Sequence, residues 1–207
     1  MTAAVVAGLV AGYGIAIPVG AVGAYLVVLT ARTSWRVGVA AALGVATVDG
    51  VYALVAVVGG GALVRVVTPV ADGLRWIAAG VLVGVAVQIT VGAVRRYRNP
   101  QPDGRFEGSL SPARAYAALV AMTLLNPTTI IYFVAVVVGG QASIADTWPE
   151  RLLFVAAAFT ASASWQLLIA SGGALLGRTL TGRRGRLGTA LTSSAVIAVL
   201  ATLTVAM

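Results

Sequence analysis

Apolar positions dominate the chain in six long runs, over 3–30, 37–61, 74–94, 113–140, 152–176 and 187–206, separated by short polar or glycine-rich connections. An α-helix needs about 20 apolar residues to cross the hydrocarbon core of a bilayer, and each run supplies that length. The pattern predicts an all-α fold, a polytopic membrane protein with six transmembrane helices. The first run has no positively charged leader and is longer than a signal-peptide core, so it is expected to stay in the mature chain as a span.

The few polar positions inside these runs carry the candidate chemistry. Asp49 stands near the middle of the second run, the one acid in any of the six, with no arginine at comparable depth. An ionised carboxylate at the bilayer centre costs about 3 kcal/mol or more, so such a group is retained for a task. Tyr52 follows one turn later and shares a helix face with Asp49, Ala42, Val45 and Ala56, a mostly small surface that another helix can approach. Gln88 marks the third run, Thr123, Asn126 and Thr129 form a stripe through the fourth, and Ser162, Trp165 and Gln166 lie in the fifth. Most of the serines and threonines are expected to bond back to their own helix or to a neighbour, and Trp165 to pack.

Prolines interrupt the first and fourth runs at matching places. Pro18 lies within GIAIPVGAVGAY, where Gly20 follows it, and Asn126-Pro127 within MTLLNPTTIIYF. Proline lacks an amide hydrogen and its ring crowds the carbonyl four residues back, so the carbonyls of Gly14 and Thr123 are expected to lose their helical partners. In hydrocarbon such a carbonyl must be satisfied by protein, water or solute. Broken helices in corresponding positions of two halves point to a transport site near the midplane, although a proline alone is often a packing kink. Three spans per half would make the halves inverted repeats.

Composition excludes the soluble classes. The 207 residues are 59% hydrophobic and 10% charged, with mean hydropathy +0.98, against about 25% charged in a soluble domain. Neither cysteine nor histidine occurs, which removes thiolate chemistry, disulfides, imidazole metal ligation and the usual proton-shuttling base. No nucleophile has a base beside it in the sequence, the remaining acids fall in loops or at segment ends, and no phosphate-binding glycine loop occurs. The reading is therefore not an enzyme, with no cofactor and no metal site.

The net charge of +8 comes wholly from arginine. Eleven of the 14 basic residues fall in or beside the connections 31–36, 95–112 and 177–186, leaving Arg65, Arg75 and Arg151 for the other side. The positive-inside rule puts the arginine-rich side in the cytoplasm and both termini outside. These arginines answer to topology and lipid headgroups rather than to nucleic acid. The connection 95–112, RRYRNPQPDGRFEGSLSP, is the most polar stretch and reads as a flexible loop. It divides a single transmembrane domain, 1–207, into halves 1–94 and 113–207. Glycines spaced four apart, Gly8 with Gly12, Gly80 with Gly84 and Gly173 with Gly177, allow close helix approach within the monomer or in a homodimer.

Together these residues resemble the lysine exporter superfamily, the small bacterial amino acid efflux proteins. The likeness rests on the proline-and-glycine segment at 17–21, the basic turn at 32–38, LGVATVDGVY at 43–52, LLNPT at 124–128 and the serine- and tryptophan-bearing helix at 154–176. The chain departs from the family pattern at Ile17, where a glycine commonly precedes the proline, and at Ala21. The resemblance implies that Asp49, Pro18, Gly20, Asn126 and Pro127 carry function, in a plasma membrane (inner membrane) protein of a bacterium. With Gly14, Thr123 and Tyr52 added from the helical reading, these are the expected solute- and proton-binding residues. The expected activity is secondary active export of amino acids or similar small solutes, coupled to proton exchange. Ionised, Asp49 would hold a solute ammonium; protonated, it would release it. A metal-cation efflux protein and a non-transporting membrane scaffold or regulatory subunit are the alternatives. The first is disfavoured by the missing thiolate and imidazole ligands, and an enclosed polar setting for Asp49 distinguishes transport from the second.

Overall fold

The computed structural model describes residues 1–18, 20–67, 110–138 and 145–179, together with scattered positions between 73 and 95 and between 188 and 202 that are all helical. Every regular element among the described residues is an α-helix. Six are continuous: α1 (Thr2–Ala16), α2 (Ala21–Arg32), α3 (Trp35–Val67), α4 (Pro112–Leu124), α5 (Pro127–Val138) and α6 (Trp148–Thr179). Most of the runs expected over 74–94 and 187–206, with Gln88 and nearly all of the 95–112 connection, lies outside the described residues.

Two of the predicted spans are single helices. Residues Trp35–Gly59 of α3 and Trp148–Gly177 of α6 are apolar stretches of 25 and 30 residues, each long enough to cross a membrane. Two others are broken, as their prolines require. The α1 and α2 axes meet at 72° across 17–20, and α4 and α5 are bent by 60° at Asn126-Pro127. Pro18 ends the first helix because it cannot continue the amide ladder, and Gly20 then takes an extended conformation that opens α2. At the start of α4, Ser111 accepts a hydrogen bond from the Arg114 amide while Pro112 takes the first turn, a standard pairing of cap and proline.

One boundary differs from the hydropathy reading. The connection expected over 61–73 starts later, because α3 continues through Gly59, Gly60 and Gly61 to Val67. The apolar residues 62–64 and 66–67 keep the helix going where glycine alone suggests an end, since one helical glycine costs only about 1 kcal/mol.

Close backbone contacts organise the packing. The bent α1–α2 pair lies along α6 and runs in the same direction. A side chain at Gly8 or Gly12 would run into the carbonyls of Phe154 or Ala158, and one at Gly177 into that of Ala31; at Gly173 it would lie 2.7 Å from the carbonyl of Val27. Two of the three glycine pairs therefore build the monomer. A side chain begun at Gly80 or Gly84 would meet no neighbour within 4 Å among the described residues.

Contacts among the described residues group the helix ends into two sets. The N-terminal ammonium of Met1 pairs with Glu150 at 3.0 Å, so the chain start and the start of α6 share one end. At the other, Leu110, Leu29 and Val37 join one apolar cluster, and Gly177 meets Ala31. The segments 31–36, 110–112 and 177–179 thus lie together. Substituting Gly12→Leu forces α1 away from the Ala158 carbonyl and is expected to lower stability by about 1–3 kcal/mol, read as a lower Tm of the detergent-purified protein. Gly84→Ala, where no atom of the described residues lies close, is expected to leave Tm unchanged or raise it.

Candidate functional site

The site lies on α3, which packs against both α6 and α4, between two apolar clusters. Toward the arginine-rich end, Val45 of α3, Leu119 of α4 and Ala170 of α6 belong to one cluster. Toward the other end, Ala53 of α3 and Ala158 of α6 join Phe133, Phe154 and Ala11 in a second. Helical periodicity puts the residue one turn from each of these on the same face. Asp49 falls between Val45 and Ala53, Ser162 and Gln166 between Ala158 and Ala170, and Thr123 one turn beyond Leu119. A polar layer therefore crosses the protein between apolar ones.

Within that layer Asp49 is only 2% exposed. Its Oδ2 accepts a hydrogen bond from Ser162 Oγ at 2.6 Å, the short separation of a hydroxyl donating to a carboxylate. No arginine joins it among the described residues. Arg32 and Arg36 lie at one end, Arg114 is in the first turn of α4, and Arg151 sits over Trp148 at the other end. Ser162 takes the second of the two courses expected for hydroxyls, a bond to a neighbouring helix. Thr30, Thr47, Thr160 and Ser171 all donate back to carbonyls one turn earlier in their own helices, whereas Ser162 reaches across to α3.

Three further polar atoms in this region are buried without a hydrogen-bond partner: Thr123 Oγ1, Gln166 Oε1 and Trp165 Nε1. Thr123 is 1% and Gln166 6% exposed. A buried polar atom with no partner carries a desolvation cost of about 1–3 kcal/mol, so each calls for an explanation. Trp165 lies one turn after Ala161, whose methyl faces Gly12 of α1, so its indole belongs to the side of α6 turned toward α1.

The break at Asn126-Pro127 corrects one expectation. Pro127 cannot donate to the Thr123 carbonyl, but that carbonyl is not left alone: the Asn126 amide donates to it at 3.1 Å. Tightening the last turn in this way is a common answer at a helix end. The neighbouring Leu124 carbonyl takes a side-chain donor instead, the Tyr52 hydroxyl at 2.8 Å. Asn126 then offers its own carbonyl to the Ile130 amide at 3.3 Å, which starts α5, and Thr129 is buried one turn along.

An aromatic relay joins the break to α1. The Tyr52 ring stacks on Phe133 with centroids 6.0 Å apart, and Tyr132 meets Phe133 edge-on at 5.6 Å. The Tyr132 hydroxyl donates to the Ala11 carbonyl at 3.0 Å and lies against Gly14. Gly14 is therefore a seat for Tyr132, and any larger residue there would displace the hydroxyl.

Of the residues singled out in the sequence, Asp49, Tyr52 and Thr123 come together with the Asn126-Pro127 break. Pro18 and Gly20 do not join them: both are exposed, and a side chain at Gly20 would meet no neighbour. They shape the α1–α2 bend instead. Ser162, which donates to Asp49, was visible in the sequence only as a polar residue one turn before Gln166. The only further clue was the antiparallel register that sets Asp49 against it.

No curated protein and no solved structure matches the chain. The family model for the LysE type translocator matches residues 14–206, which takes in both broken helices, Asp49 and Ser162. The chain, a membrane protein with apolar spanning helices and a polar layer held between them, belongs to the LysE type translocator family.

Proposed function

We propose that the protein is a secondary active transporter exporting amino acids or similar small solutes from the bacterial cytoplasm, with Asp49 exchanging a proton for the solute's ammonium group. The observation that carries this reading is the setting of Asp49: a carboxyl group sealed between apolar clusters, whose partner is a neutral serine. A buried carboxylate is stable only when its charge is compensated or neutralised. A serine hydroxyl solvates the charge without cancelling it. Either a proton or a bound ammonium supplies the cancellation, and competition between the two is the elementary step of proton-coupled exchange. Family membership supports translocation as the activity.

The architecture proposed around this step has six spans in two inverted halves. The first helix of each half is broken, at Pro18 and at Asn126-Pro127, and the arginine-rich end faces the cytoplasm. Relative rocking of the halves would expose Asp49 to one side and then the other. The α4–α5 bend, braced by Tyr52 on the Leu124 carbonyl, is the natural place for such motion to act on the site, because Asp49 and Tyr52 share α3.

Two substitutions test these roles. Asp49→Asn keeps the shape and removes the titrating charge. It is expected to insert normally yet abolish pH-dependent efflux of preloaded amino acids from membrane vesicles, and undiminished pH-dependent efflux would rule the carboxylate out. Pro127→Ala restores an amide at the break, and is expected to straighten α4–α5 and slow efflux by about tenfold, roughly 1.4 kcal/mol in the rate-limiting step. Unchanged rates at equal protein abundance would reduce the bend to a packing detail.

A further inference from the structure

Two tyrosine hydroxyls cross between the parts of the chain on either side of the 95–112 connection, in opposite directions. Tyr52 of α3 donates to the Leu124 carbonyl at the end of α4 at 2.8 Å, and Tyr132 of α5 donates to the Ala11 carbonyl inside α1 at 3.0 Å. Phe133 lies fully buried against both rings. The three side chains pack in the apolar cluster that stands between Asp49 and the end where Met1 meets Glu150. Each bond favours the bent form of α4–α5. In a continuous helix the Leu124 carbonyl would accept the Thr128 amide, so a straightened α4–α5 competes with Tyr52 for that oxygen. Phe133 follows Pro127 by six residues, an arm of about 9 Å along the helix. Turning α5 through a third of its 60° bend would carry this ring about 3 Å and take the neighbouring Tyr132 hydroxyl out of reach of the Ala11 carbonyl.

We propose that Tyr52 and Tyr132 form a latch: together they hold α5 bent, with Phe133 plugging the way from Asp49 to the Met1–Glu150 end. That end opens only when both hydroxyl–carbonyl bonds break in one swing of α5 about the Asn126-Pro127 hinge. Both tyrosines are positioning residues, and neither touches the solute. Gly14 belongs to the device, because a side chain there would take the place of the Tyr132 hydroxyl. Opening at this end is the release step of the export proposed above, and the latch rests on that reading only for the direction in which solute leaves.

The chain has no cysteine, so single cysteines report opening without interference. Ala53→Cys lies in the latched cluster and Ala42→Cys in the cluster toward the arginine-rich end, both at fully buried positions. In detergent both ends meet a small charged thiol reagent, 2-(trimethylammonium)ethyl methanethiosulfonate, and the position labelled tells which end opens. Both cysteines are expected to react slowly in the otherwise unaltered chain. Tyr52→Phe and Tyr132→Phe, which keep the rings, are each expected to speed labelling of Ala53→Cys about fivefold, the population gain from losing one net hydrogen bond, and to leave Ala42→Cys slow. The two together are expected to give about the product of the single effects, because one swing breaks both bonds. Gly14→Ala, which leaves every ring in place, is expected to act as Tyr132→Phe does. Unaltered labelling of Ala53→Cys in all three single variants, equal acceleration at Ala42→Cys, or a double variant no faster than the faster single one would overturn the latch. Any of these outcomes in a protein that still exports amino acids from vesicles would leave transport standing. Labelling as expected in a protein without efflux would uphold the latch and overturn the transport reading instead.

Discussion

The hydrogen bond from Ser162 to Asp49 is the constraint on which the arrangement depends. It ties α3 to α6 at mid-depth, and it does so through a carboxyl group that the surrounding apolar clusters would otherwise exclude. In hydrocarbon a carboxylate costs several kcal/mol, and one neutral hydrogen bond recovers only part of that. In the transport function proposed above, that remaining imbalance is what a proton or a cationic solute would relieve. A full ion pair at the same place would lower that imbalance.

That tie is possible only because α6 is gripped along most of its length. Between tightly packed helices, small residues replace the hydrophobic drive that lipid removes. Gly8 and Gly12 bring α1 against the first half of α6, and Gly173 and Gly177 bring α2 against the second. The bend at Pro18 lets one broken span follow α6 through both contacts. Pro18 and Gly20 themselves are exposed, away from the contact between Asp49 and Ser162.

The second break acts differently. At Asn126-Pro127 the chain reuses its own amide for the Thr123 carbonyl and borrows the Tyr52 hydroxyl for that of Leu124. Tyr52 also stacks on Phe133, whose neighbour Tyr132 reaches the Ala11 carbonyl. Side-chain contacts therefore tie this break to α3, one turn from Asp49, and to α1. Two prolines with the same local effect thus serve different ends, according to what packs against them.

Much was legible before any tertiary contact was known. Hydrophobic run length anticipated the two unbroken apolar helices and the two bent pairs among the described residues, because the bilayer leaves few other conformations for an apolar chain of that length. Proline chemistry determined where two of them break, and Asp49 announced itself as the one acid among apolar residues. Arginine placement sorted the loops, and the contacts of Met1 with Glu150 and of Ala31 with Gly177 follow the same division. What the sequence left open was every relation between helices. The choice of Ser162 over the other hydroxyls, the burial of Thr123 and Gln166, and the exposure of Pro18 all depend on helix register and facing. Those are determined by close backbone approach at glycines far from Asp49 in the chain, and local periodicity carries no record of which helix lies opposite.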